Sequence, residues 1–211
     1  GDLMLRRFLL GILVVSLASL AWAGVPDLVE SDAEIAAEAV GASMFNTPNA
    51  NGSDFTQAFG AGGFVDATIT LTLIDTDGLA IFLYPFEDLW LETSAGGLKF
   101  CSGGTVADQS TDELGQTTWT NALAAGGYSP GETTNIMVAG APLTTTLDII
   151  YNSADINGDL VVNLPDIVAF TQLLGGDYTT HPLYAGDFNN DGQINLPDIV
   201  RMTGGIGTAC N

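Results

Sequence analysis

The sequence predicts a mainly β fold, a β-sandwich followed by a small α-helical C-terminal module built on two loops. Three observations lead there. Ala67, Ile69, Leu71 and Leu73 alternate with Thr68, Thr70 and Thr72, the period of a strand with one wet face. Short apolar runs divided by Gly and Asp turns then recur as far as Tyr151. Beyond Ser153, two twelve-residue segments are near copies of each other, and each leads into apolar residues at helical spacing.

At the N-terminus, Arg6 and Arg7 precede an apolar run from Phe8 to Leu20, and Ala21-Trp22-Ala23 has the small-x-small form of a signal-peptidase site. Residues 1–23 therefore read as a signal peptide, with Met4 the expected start and Gly24 the first mature residue. The run is short of the roughly 20 residues that a spanning helix needs. The expectation is a secreted chain, extracellular or at a cell surface, with no stable membrane insertion after cleavage.

Residues 24–63 have weaker periodicity, broken by the Asn46-Thr-Pro-Asn-Ala-Asn-Gly loop signal. Two placements are open: extra strands of the same sandwich, or a strand donated to a neighbour's sheet edge, which would generate an open polymer.

The sandwich is expected over 64–152. Asp77-Gly78 marks a turn after the first strand, with Asp75 and Asp77 read as turn residues. A second strand is expected through Ile81 to Glu92, another near Gly115–Thr120, a short one at Ile136–Val138 and the last at Leu147–Tyr151. Alternation puts Leu89 and Leu91 inside. It leaves Tyr84, Phe86 and Trp90 on the opposite face, where three aromatics need a cover. That cover is the N-terminal segment, the C-terminal module, a subunit interface or a stacked glycan. Trp119 falls at a core position.

The two repeated segments run from Asp155 to Asp166 (DINGDLVVNLPD) and from Asp187 to Asp198 (DFNNDGQINLPD). Each offers oxygen side chains at positions 1, 3, 5, 9 and 12. Calcium takes six to eight oxygen ligands, and a loop of this length can wrap one ion. Position by position, the first set is Asp155, Asn157, Asp159, Val161 (backbone carbonyl), Asn163 and Asp166. The second is Asp187, Asn189, Asp191, Gln193 (backbone carbonyl), Asn195 and Asp198. Two calcium ions are expected. Position 6 needs a sharp turn that suits Gly; Gly192 meets this, whereas Leu160 in a left-handed conformation costs roughly 1–2 kcal/mol. The first loop is therefore expected to bend differently or bind more weakly. Asn163 and Asn195 are placed to cap helices that run to Gly175-Gly176 and Gly204-Gly205, with Pro165 and Pro197 in the first turn.

The formal net charge is −21, and beyond residue 23 the only fixed positive charges are Lys99 and Arg201. Nucleic acid is excluded, because nothing could neutralise its phosphates. Two cysteines in an exported chain, Cys101 and Cys210, suggest a disulfide that pins the C-terminus to the middle region. The single histidine, His181, sits in a Thr-Thr-His-Pro loop. No nucleophile, phosphate-loop or zinc-ligand pattern accompanies it, so no enzyme is expected.

At residues 153–211 the duplicated Asn-Leu-Pro-Asp-Ile-Val exits resemble a dockerin, the calcium-dependent domain that attaches secreted enzymes to cohesin partners. The resemblance implies two loop-helix units about a pseudo-twofold axis and a cohesin-like partner. Loop positions 10 and 11, typically small polar pairs in that family, are here Leu164-Pro165 and Leu196-Pro197. The middle region, through DATITLTLIDTDGLAI, LWLETSAGG and TDELGQTTWTNALAAGG, resembles the bacterial Ig-like domains of invasin type, which implies a structural or adhesive role. The leading expectation is a non-catalytic calcium-binding structural or adhesive protein of a bacterial surface, polymerising with itself into a fibre. The alternatives are a dockerin-bearing subunit on a cohesin scaffold and a carbohydrate-binding module with glycan partners.

Overall fold

A computed structural model describes residues 24–210, so the expected signal peptide, 1–23, lies outside the described residues. The described chain is mainly β, with two C-terminal helices. In chain order the strands are β1 (Asp32–Glu34), β2 (Ala42–Asn46), β3 (Ala58–Gly60), β4 (Gly63–Val65), β5 (Ile69–Thr72), β6 (Leu89–Thr93), β7 (Leu98–Phe100), β8 (Gln116–Trp119), β9 (Ala125–Gly127), β10 (Thr134–Val138), β11 (Ala141–Leu147) and β12 (Ile149–Ser153). The helices are α1 (Leu164–Leu174) and α2 (Leu196–Gly205).

The strands form four small sheets, ordered β1-β5-β8, β11-β10-β6, β12-β2-β3-β4 and β7-β9. Every pairing is antiparallel except β12 with β2. Period-two sequence gives period-two burial. Ile69 and Leu71 of β5, Leu89 and Leu91 of β6, Trp119 of β8, and Ile136 and Val138 of β10 are buried, while their neighbours stay half-exposed. These residues make the main core, which Met44, Phe55, Ile149 and Tyr151 complete. Trp119 also donates its indole N–H to the Thr105 carbonyl (2.9 Å), which satisfies the buried polar end of the ring.

The second expected strand is shorter than its pattern suggests. After Pro85 the chain makes a single 3₁₀ turn, Phe86–Asp88, and the strand begins only at Leu89. Tyr84 is thereby cut off from the face that Trp90 occupies. Its backbone N–H bonds to Thr111 Oγ1 (2.8 Å), and its ring packs against the main core. The last strand likewise begins later than Leu147: β11 ends there, and β12 follows after Asp148. The Asp75–Gly78 turn is as the sequence predicts. Asp75 Oδ1 accepts the N–H groups of Asp77 and Leu79, and Gly78 takes a positive φ of 76°.

Residues 24–63 lie within their own chain. β1 pairs with β5, β2 with β12, and the β3–β4 hairpin straddles the expected boundary at 63/64. Among the described residues, β1 to β4 all pair within this chain, the first of the two expected placements.

The sheet β12-β2-β3-β4 joins the two halves of the molecule. All five residues of β2 are buried, because both faces of the sheet are covered. Met44 and Ala58 point into the main core. Phe45 and Phe59, one residue on, point into a second core with Phe170, Leu173, Phe188 and Met202 of the C-terminal module. Phe188 sits between Phe45 (centroids 5.0 Å apart) and Phe170 (5.6 Å, stacked). One wall thus serves two cores, by the alternation of a strand across its own plane.

The disulfide between Cys101 and Cys210 is formed, with Cα atoms 5.5 Å apart. It holds the tail beside the first loop: Val162 N–H bonds to the Thr208 carbonyl (2.9 Å) and Gly207 N–H to the Val162 carbonyl (2.9 Å). Among the described residues no helix is long and apolar enough to cross a membrane.

Candidate metal centre

Each loop winds around the carboxylate at its first position. Asp155 Oδ1 accepts the N–H groups of Gly158 (3.0 Å) and Asp159 (3.1 Å), and its Oδ2 accepts that of Leu160 (2.8 Å). In the second loop Asp187 accepts from Asp191 (3.1 Å) and Gly192 (2.8 Å). The carboxylate at position 12 closes each loop onto its helix. Asp166 accepts from Asn157 N–H (3.1 Å) and Asn163 N–H (2.9 Å); Asp198 accepts from Phe188 N–H (2.8 Å) and Asn195 N–H (3.0 Å). Loop closure and helix capping are the same set of bonds, with Asn163 and Asn195 in extended geometry at the two N-caps.

The turn at position 6 is the same in both loops. Leu160 takes φ 67° where Gly192 takes 81°, and at position 4 Gly158 takes 72° where Asn190 takes 55°. The expectation of a differently bent first loop is therefore corrected. Three backbone bonds to Asp155 force the left-handed turn, and the loop carries the strain on Leu160. The loops trade places, each with one glycine and one strained residue, and Asn tolerates this region better than Leu.

Four of the six loop carboxylates, Asp155, Asp166, Asp187 and Asp198, are almost fully buried. Burial pushes Asp155 up to about 6, with the Asp166 and Asp159 charges adding to the rise. Burial raises Asp187 and Asp198 as well. Exposed Asp191 is instead held low, because the Asn195 and Asn189 amides both donate to it (3.0 Å each). A buried negative charge needs a cation, either from the protein or from a metal. Arg201 is not free for that task in a simple way: its guanidinium lies over the Phe59 ring at 4.4 Å and donates to the Pro197 carbonyl.

Two observations test whether a metal fits. In the first loop Asp155, Asp159 and Asp166 each bring an oxygen within 4.8 Å of the others, close enough to share one ion. In the second loop Asn189 Oδ1 and Asn195 Oδ1 are buried acceptors with no hydrogen-bond partner. They stand at positions 3 and 9, where the spacing calls for oxygen ligands. The all-oxygen donor set suits a hard cation such as calcium. Val161 and Asn163 are placed less openly, since the Val161 carbonyl accepts from Asn163 Nδ2 (3.2 Å).

Contacts from outside the loops also shape them. A Cβ on Gly126, in β9, would collide with Asp155 Oδ2, so only glycine lets the sheet lie against the first site. Asn152 of β12 donates Nδ2 to the Asp187 carbonyl (2.9 Å), and Asn190 Nδ2 reaches the Phe59 carbonyl (3.4 Å). His181 is not isolated in its loop; its Nδ1 lies 3.3 Å from the Tyr128 hydroxyl.

The outer helix faces are left open. Leu164 and Val168 on α1, and Leu196 and Val200 on α2, occupy equivalent positions, and the two leucines are 68% and 69% exposed. The inner faces, with Phe170, Leu173 and Met202, are spent on the second core.

Comparison with known families matches residues 153–206 to the dockerin type I domain. Among solved structures, the crystal structure of the Lin-41 filamin domain is matched at 17% identity with a TM-score of 0.29, over 59% of this chain and 95% of that one. No curated protein matches the chain. With its duplicated loops, their helix exits and this match, the chain carries a dockerin type I domain at residues 153–206, behind a mainly β sandwich region.

Proposed function

We propose that this protein is an exported, non-catalytic subunit that docks, in calcium, onto a cohesin-type partner through its dockerin domain. Asp155, Asn157, Asp159, Val161, Asn163 and Asp166 hold one ion, and Asp187, Asn189, Asp191, Gln193, Asn195 and Asp198 the other. The ions neutralise the loop carboxylates, fix both helix starts and so set the angle between α1 and α2.

The observation that carries this reading is the pair of equivalent apolar faces, Leu164–Val168 and Leu196–Val200, exposed on the side away from the second core. Leucine and valine there favour a partner with an apolar patch, since no hydroxyl is offered at those positions. The sandwich region is then rigid cargo, joined to the docking domain by a shared core and a disulfide. The fibre reading has no comparable support, because the segment it needs as a donor strand is paired within its own chain.

The test is capture of the purified chain on immobilised type I cohesin domains in calcium and in excess chelator. Binding in calcium, lost in chelator and weakened at least tenfold in a Leu164→Asp/Leu196→Asp variant that keeps its melting transition, is expected. Equal capture of that variant, or no capture by any cohesin tried, refutes the proposal.

A further inference from the structure

A docking domain fused to non-catalytic cargo raises the question of what the cargo carries. The half-exposed aromatics of the sandwich region point to one answer. Phe86, Trp90 and Phe100 line an open cleft of about 470 Å³ together with Glu87, Ser102 and Thr105. That size lies within the range of small-ligand sites, roughly 300–1,000 Å³. Every lining residue comes from the sandwich region, so neither the N-terminal segment nor the calcium module covers the cleft.

The two tryptophans among the described residues are used differently. Trp119 is core. Trp90 is half-exposed, contributes to neither core, and is held by its indole N–H donating to Glu92 Oε1 (2.8 Å). A Trp whose polar edge is fixed from behind presents a ring of set orientation to whatever enters beside it. Phe86 and Phe100, by contrast, are anchored in the edge of the main core, which makes the other walls rigid.

The occupant follows by exclusion and by complementarity. A peptide cannot add as a strand, because β6 is paired on both sides. β10 runs along one edge, and residues 105–107 bond to the other through Leu91 N–H to Thr105 carbonyl and Ala107 N–H to Leu89 carbonyl. An anionic polymer is repelled by Glu87 at the cleft and by a chain of net charge −21. A wholly apolar ligand leaves Glu87 and the Ser102 hydroxyl without a role. A neutral sugar matches all of these walls: its C–H face stacks on rings, and its hydroxyls donate to a carboxylate and exchange bonds with a serine.

We propose that the cleft formed by Phe86, Trp90 and Phe100 is a binding site for a neutral saccharide. The inference goes beyond the docking reading and does not rest on it, since the sugar site and the dockerin helices share no residue.

The test is isothermal calorimetry of the purified, calcium-loaded chain with cellohexaose, xylohexaose and mannohexaose, and with polygalacturonate as the anionic control. Binding of at least one neutral hexaose, with a dissociation constant below about 1 mM, is expected, and none of polygalacturonate. Trp90→Ala should weaken it at least tenfold. Should that variant fail to fold, Ser102→Tyr, which fills the cleft from an exposed position, should abolish binding with the melting transition unchanged. Absence of binding to all three neutral sugars, tighter binding of polygalacturonate, or full binding by folded Trp90→Ala or Ser102→Tyr overturns the proposal. None of these results bears on capture by cohesin, which is measured separately.

Discussion

Replacing both cysteines, Cys101→Ser and Cys210→Ser, tests how the docking domain is tied to its cargo. The disulfide spans a sequence separation of 109 residues. By chain entropy alone, closing a loop of that size stabilises the fold by about 4.8 kcal/mol, an upper figure because the entropic account is itself disputed. The bridge is not the tail's only restraint. Three backbone bonds also hold it: Val162 N–H to Thr208, Gly207 N–H to Val162, and Cys210 N–H to Leu160. These bonds keep the native state intact without changing the unfolded chain, so the loss should remain large, about 2–4 kcal/mol. The assay is urea unfolding in saturating calcium, with the slope checked so that the change is read from the midpoint. Because the tail pairs with Leu160–Val162, calcium titration should show the first loop weakened more than the second. A loss below about 0.5 kcal/mol, or equal weakening of both loops, would refute the view that the bridge braces the first site.

Gly126→Ala should remove one ion, because the new Cβ displaces the Asp155 carboxylate; calorimetry should read one calcium per chain instead of two, and an ion present at a hundred times its dissociation constant is worth about 2.7 kcal/mol. Leu160→Gly should stabilise the protein by about 0.5–1 kcal/mol, since relief of a left-handed Leu exceeds the added entropy of Gly; a melting temperature that falls would show the turn is not strained. The raised carboxylates set the pH dependence. In chelator, folded Asp155, with Asp187 and Asp198, binds protons that the unfolded chain has already released, so stability should fall as pH rises from about 4 to about 6. In calcium the sign should reverse over the same window, because the ion binds only the deprotonated loops; parallel melting curves in the two buffers would contradict the site.

The two oxygen-rich loops are legible because their chemistry is local. Ligand spacing, cap and helix start all lie within twelve residues, and repetition made each copy evidence for the other. Period-two alternation likewise marked β5, β6, β8 and β10, whose buried positions match their apolar ones. The pattern overran at Ile81–Asp88, where Pro85 and a 3₁₀ turn interrupt an apolar stretch that reads as strand. The pattern therefore puts Tyr84 with Phe86 and Trp90, whereas Phe100, the third aromatic wall of the cleft, lies on a different strand with nothing in the sequence to link them.

What the sequence by itself determined was the identity of the parts: a β region, two oxygen-rich loops with their helices, and a pair of cysteines. Each of these depends on residues near one another in the chain, or on pairing the only candidates there are. What the tertiary structure alone decided was that the parts are one body. Phe45 and Phe59 look like ordinary strand residues until β2 and β3 are found with a core on either side. Gly126 looks like a turn glycine until Asp155 is found against it. Contacts across a shared sheet join residues a hundred positions apart, and no local period records which strand will be covered on both faces.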